Sequence, residues 1–134
     1  MSFDLFVGCF RNGMIGQFRR QLLEEHFSCY VSVREPNCLT LDFGKGGTAY
    51  LYCGREDLIE GFNINRPVSA PELYDALFDI MRSESLALYV PGECPPLVAS
   101  PTIAAQLPAD MVATLGQPVV LGAGSEIQEW IAKA

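Results

Sequence analysis

Seven carboxylates fall between Glu56 and Glu84: Glu56, Asp57, Glu60, Glu72, Asp75, Asp79 and Glu84. Against them stand Arg55 just before, then Arg66 and Arg82. Paired carboxylates can serve as general acid and base or hold a metal ion. Both uses need them to converge in a pocket that perturbs their pKa values. The spacing here supports something else. Glu72, Asp75 and Asp79 follow at steps of three and four, so a helix through them lines them up as an acidic ridge facing water. Such a ridge either keeps a protein in solution or steers and docks a cationic partner. Glu72, Asp75 and Asp79 are therefore the first candidates for partner contact, and Glu56, Asp57 and Glu60 the second.

Three other constellations invite chemical readings. Gly44-Lys45-Gly46-Gly47-Thr48 has the residue types of a phosphate loop. A true one needs four residues between its first glycine and the Gly-Lys pair, and a helix after it. A strand-like run follows instead, so the segment is read as a hairpin turn. His26 and Cys29 stand three apart, but a nucleophile and its base need hydrogen-bond reach and an orienting third group. A lone His near a helix C-terminus more often serves the helix dipole. Pro91-Gly92-Glu93-Cys94-Pro95-Pro96 follows an apolar strand and is stiffened by its prolines. Ligands commonly sit beyond strand ends, which makes Tyr89, Glu93 and Cys94 an alternative site for a small ligand or a reaction. Cys94-Pro95 and Pro95-Pro96 are candidate cis bonds.

Periodicity supplies the elements that must place these residues. Phe3 to Phe10 is an apolar, aromatic run of strand length, expected near the centre of a sheet. Arg11-Asn12-Gly13 is turn chemistry, and Met14 to Phe27 reads as a helix with Ile15, Phe18, Leu22 and Leu23 inward. On that helix Arg20 would pair with Glu24. From about residue 30 to 54 the period is two, which implies a three-strand antiparallel meander closed by the Gly44–Gly47 turn. Gly61 to Asn65 reads as a short edge strand ended by Pro67. Ser69-Ala70-Pro71-Glu72 has the form of a capping box, opening a helix over about 70–83 with Leu73, Ala76, Leu77, Ile80 and Met81 inward. Leu86 to Val90 is an inner strand. Short helices follow over about 101–106 and 109–115, then a strand at 118–122. The run from 86 to 122 suggests a parallel crossover. The last helix, about 125–133, is expected to be capped by Ser125 with Gln128 in the reciprocal position.

The 134 residues fit one α+β domain with a mixed sheet, spanning 1–134. With 49% hydrophobic and 19% charged residues, the chain can build a core and is not a disordered tail. A net charge of −7 argues against nucleic acid, since phosphate binding needs local positive charge. Five cysteines occur with no zinc or redox spacing. They are read as reduced thiols of a cytoplasmic protein. No secretory signal and no membrane span is expected.

The opening Met1-Ser2-Phe3-Asp4-Leu5-Phe6 and Phe10-Arg11-Asn12-Gly13 resembles that of a group of small, mostly uncharacterised bacterial proteins. The likeness continues through Leu88-Tyr89-Val90-Pro91-Gly92, Pro95-Pro96-Leu97-Val98, Leu107-Pro108 and Leu115-Gly116-Gln117-Pro118-Val119-Val120. In size and acidity these are similar in general character to immunity proteins, which bind and block a toxin made by the same cell. That likeness is an analogy of class; the acidic ridge, with no catalytic constellation beside it, supports a non-enzymatic inhibitor of a basic toxin, with no cofactor and no metal. The alternative is a small ligand-binding or enzymatic domain with its site at 91–96, and a structural homodimer is the blandest reading.

Overall fold

Asn12 and Gly13 both adopt positive φ, 53° and 76°. That is the type I′ turn which joins antiparallel strands in two residues. The first strand, β1 (Asp4–Arg11), therefore folds straight back into β2 (Met14–Ile15), with Phe10 opposite Ile15. This corrects the expected helix over 14–27. A helix through Gly16 loses about 1 kcal/mol relative to Ala, whereas the turn uses Gly13 without strain. Next come β3 (Phe18–Arg19) and a helix of only seven residues, α1 (Gln21–Phe27). Phe18 and Leu23 are buried as expected, but Ile15 is 67% exposed. The structure is a computed structural model and describes residues 4–65, 67–90 and 94–133.

The meander forms as read: β4 (Val31–Glu35), β5 (Cys38–Asp42) and β6 (Thr48–Cys53) pair antiparallel. Gly44–Gly47 is the turn between β5 and β6, with the Asp42 carboxylate accepting from the Gly44 N–H at 2.8 Å. After it come β7 (Leu58–Ile59), which pairs with β3, and β8 (Gly61–Asn65). Here a second correction applies. β8 is not an edge strand but lies between β1 and β6. Its alternation puts Phe62 and Ile64 into the core and Asn63 and Asn65 on a second face that stays partly open. Pro67 falls after the strand ends, so its missing N–H disturbs no pairing.

α2 (Pro71–Ser83) begins one residue later than the capping-box reading requires. Ala70 is the N-cap and no side-chain cap forms, while the Ser69 carbonyl accepts from Gln128 Nε2 at 3.0 Å. Burial of Ala70 against the Gly46 turn sets this register. Leu73, Ala76, Leu77, Ile80 and Met81 are buried as expected, joined by Tyr74 and Phe78. The chain then runs through β9 (Leu86–Tyr89), β10 (Leu97–Val98), α3 (Pro101–Ala104), α4 (Ala109–Leu115), β11 (Val119–Val120) and α5 (Ser125–Lys133). Ser100 caps α3 by accepting from the Ile103 N–H. The parallel crossover joins β10 to β11, not the 86–90 strand, which is antiparallel to β10. In α5 the Ser125–Gln128 reciprocity is replaced: Gln128 reaches Ser69, and the Glu126 carboxylate accepts from the Gly122 N–H at 3.2 Å. Arg20 does not pair with Glu24. It donates to the Gly54 and Pro36 carbonyls, and Glu24 pairs with Arg34 at 3.1 Å.

The main sheet has the order β11-β10-β9-β1-β8-β6-β5-β4, so β1 is central as expected. One face carries Leu5, Val7, Leu39, Leu41, Leu51, Ile64 and Leu88 and packs beneath α1, α2 and α5 in one core. On the other face a smaller cluster of Ala87, Val98, Ile103 and Leu107 lies under α3 and α4. No peptide bond among the described residues is cis, including the two proline bonds singled out above.

At Gly61 the β1 and β8 backbones approach so closely that an added Cβ would stand 2.4 Å from the Val7 carbonyl oxygen. Gly61→Ala is expected to lose about 2–3 kcal/mol, because the crowding is against backbone that cannot swing aside. Urea denaturation measures this, and a loss within about 0.5 kcal/mol, the scale of an ordinary surface change, would deny the close approach.

Candidate functional site

The acidic ridge exists, with one member engaged. Glu72 and Asp75 are exposed on α2, and among the described residues neither forms an ion pair. Asp79 is half-buried and bound to Arg82 at 2.7 Å, while Arg82 also lies over the Phe78 ring. Glu84, the end of the carboxylate series, is held by Arg11 at 2.8 Å. Glu72 and Asp75 border Tyr30, whose phenol is pushed up by burial first and by the charge of Cys29, Glu72 and Asp75 after it. Arg66 lies outside the described residues.

Glu56, Asp57 and Glu60 are also exposed, but the fold separates them from the ridge. β8 runs from Gly61, opposite Gly8, to Asn65, opposite Asp4. Glu60 therefore stands at one end of this strand, and the chain leaves the other end to begin α2. Four strand steps span about 13 Å, so the two acidic groups form separate clusters along the length of β8. Asp57 lines a hollow together with Arg19, Arg20, Glu24 and Arg55.

The sequence reading missed a groove of about 660 Å³ on the second face of the sheet. Its floor is Gly8 and Gly61, paired across β1 and β8. Phe6 and Tyr89 stack at 5.7 Å with their planes 15° apart. The Phe10 ring leans over Gly8, where a Cβ would meet it at 3.1 Å. Tyr52, 41% exposed, forms the opposite side with Cys53 and Asn37, and Ile15 and Glu60 stand at one end. Beside the groove, Asn63 and Asn65 each donate to one oxygen of the Asp4 carboxylate, at 3.2 and 2.7 Å. A signal for this face is present in the sequence. Aromatic residues occupy alternate positions (Phe6, Phe10, Tyr50, Tyr52, Tyr89) that a half-buried strand normally gives to polar side chains.

The groove's own polar groups are suited to binding, not to nucleophilic attack. Burial pushes the Tyr89 phenol and the Cys53 thiol up, and the neighbouring Cys38 does the same to Tyr52. Thiolates attack and thiols do not. Cys94, from the alternative site, is 3% exposed with its thiol pushed up by burial, and its Sγ faces the Pro95 carbonyl. Glu93 lies outside the described residues; of the other two, Tyr89 lines the groove and Cys94 does not. His26 sits in the last turn of α1 and Cys29 is exposed beyond it. Among the described residues no cluster of three metal-ligating side chains occurs, and no helix is long and apolar enough to cross a membrane.

No family model, no curated protein and no solved structure matches this chain.

Tyr74 anchors the ridge-bearing helix. It is 3% exposed, donates to the Val68 carbonyl at 2.7 Å, and has its pKa pushed up to about 12 by burial. The unfolded chain releases this proton near pH 10. The neutral phenol thus favours the fold below that pH, and the benefit is lost between pH 10 and 12, by about 2–3 kcal/mol in all. Tyr74→Phe is expected to cost about 1 kcal/mol at pH 8 yet to be the more stable protein at pH 12. Denaturation curves at the two pH values check this, and parallel losses in both proteins would refute it.

Proposed function

We propose that this chain is a non-enzymatic binding protein of the immunity type, which blocks a cationic partner, such as a basic toxin, by covering it with the water-facing side of α2. The observation that carries this reading is the pair Glu72 and Asp75, exposed on one rigid helix with no counter-charge among the described residues. The helix is held by a fully apolar underside, so the two carboxylates are presented without an ordering cost at each encounter. The net charge of −7 adds a long-range field that speeds association with a positive surface.

Asp79 enters this surface only if the partner competes with Arg82 for it. Glu56, Asp57 and Glu60 lie at the other end of β8 and contribute to the field, not to the same contact.

The test is retrieval of the partner from the source cell by the intact protein and by Glu72→Lys/Asp75→Lys. A partner of net positive charge should bind, with an affinity that falls as salt rises. Desolvated charge pairs are worth about 2–5 kcal/mol each when one member is lost, so the double reversal should weaken binding by about 100-fold or more. Equal affinity and equal salt dependence in both proteins would remove α2 from the contact.

A further inference from the structure

The groove on the second sheet face carries an inference of its own, independent of α2. Among the described residues lining it, Glu60 is the only formally charged one, and no lysine or arginine is present. The remaining walls are aromatic or neutral: Phe6, Phe10, Tyr52, Tyr89, Asn63 and the two floor glycines. Aromatic faces carry negative charge density and attract cations, most strongly where water is partly excluded. A planar guanidinium stacks on such rings while its edge donates to a carboxylate, which a hydrated ammonium does less well. Phe6 and Tyr89 already present near-parallel rings. The Phe10 ring closes over Gly8, and a Cβ on Gly61 would fall against the Val7 backbone, so both glycines are occupied by contacts within the sheet. Nucleic-acid bases also stack on open sheets, but their phosphates need positive charge that these walls lack.

We propose that this groove seats an arginine side chain presented by a polypeptide segment, with the guanidinium against the Phe6–Tyr89 and Tyr52 rings and toward Glu60. The occupant is a partner chain that presents the arginine from an extended segment, because the groove is open at its mouth.

A short synthetic peptide of alternating arginine and glycine, and its neutral citrulline counterpart, are titrated into the full chain while backbone amides are followed by NMR. The arginine peptide should shift Gly8, Gly61 and Asn63, and the citrulline peptide should not. Tyr52→Ala/Glu60→Gln, both at exposed positions, should weaken that binding by at least about 10-fold. Glu72→Lys/Asp75→Lys should leave the groove shifts in place. Equal shifts with citrulline would overturn the proposal in favour of a purely apolar platform. Displacement of the peptide by oligothymidylate would overturn it in favour of base stacking. A silent groove overturns it whatever α2 does, while the acidic-helix reading is judged separately by the retrieval of a partner.

Discussion

The structure depends on a mismatch between a wide sheet and the helices available to cover it. One face of the main sheet is buried along its length by α1, α2 and α5. The other receives only α3 and α4, which seal Ala87 and Val98 near one edge. Strands whose residues alternate cannot hide both sides with so little material. β1 shows the consequence within one strand. Leu5, Val7 and Cys9 are buried under helices, while Phe6 and Phe10 on the opposite side are left half covered. The groove is what remains between the α3–α4 cover and the meander.

Close backbone approach makes that arrangement tight. Gly61 lets β8 press against β1 at Val7, and Gly124 lets the start of α5 cross Tyr74, where a Cβ would fall 2.5 Å from its carbonyl oxygen. Both positions trade conformational freedom in the unfolded chain for contact that no larger residue permits. The Tyr74 hydroxyl, donating to Val68, then ties α2 to the segment that leads into it. α2 is thus fixed from below, at its side and at its entry, and its outer stripe is rigid.

Much of this was legible in the residues, and the failures have physical causes. The α+β class, the central β1, the meander and the buried stripe of α2 follow from periodicity, because each is long enough for burial to dominate local preference. Over residues 14–20 the helical spacing yields to the turn before it, because Asn12-Gly13 closes in the type I′ form. The type I′ geometry commits the chain to a returning strand, so only the second half of the segment is helical (Gln21–Phe27, with Leu22 and Leu23), and the spacing of Ile15 and Phe18 is coincidence. Both capping boxes failed by register. A Ser cap is worth about 1 kcal/mol, and burying the Ala70 methyl at about 0.8 kcal/mol together with the Gln128–Ser69 hydrogen bond at about 1 kcal/mol outweighs it. Residues 97–98 escaped notice since two residues carry no period. As for the site, Glu72 and Asp75 could be placed in water from the helix pattern alone. Asp79's attachment to Arg82 is an i, i+3 pair visible in the sequence, whereas the separation of Glu60 from Glu72 requires the direction of β8.

That direction decides what one partner can reach. The outer stripe of α2 lies about 15 Å from the plane of the sheet, one helix layer away, and the groove opens on the opposite side of that plane. A stable interface takes about 800 Å² from each molecule, against a total surface of 7004 Å² here. A patch of that size is a single face of a chain this small, not two opposed faces. A compact basic protein seated on Glu72 and Asp75 therefore leaves Phe6, Tyr52 and Tyr89 in solvent. One seated in the groove leaves the acidic ridge bare. If both proposals hold, the two surfaces serve different partners, or one partner reaches both with an extended segment that passes round the end of β8. Among the described residues lining the groove Glu60 is the only charged one, so the arginine proposed above would bring the positive charge that these walls lack.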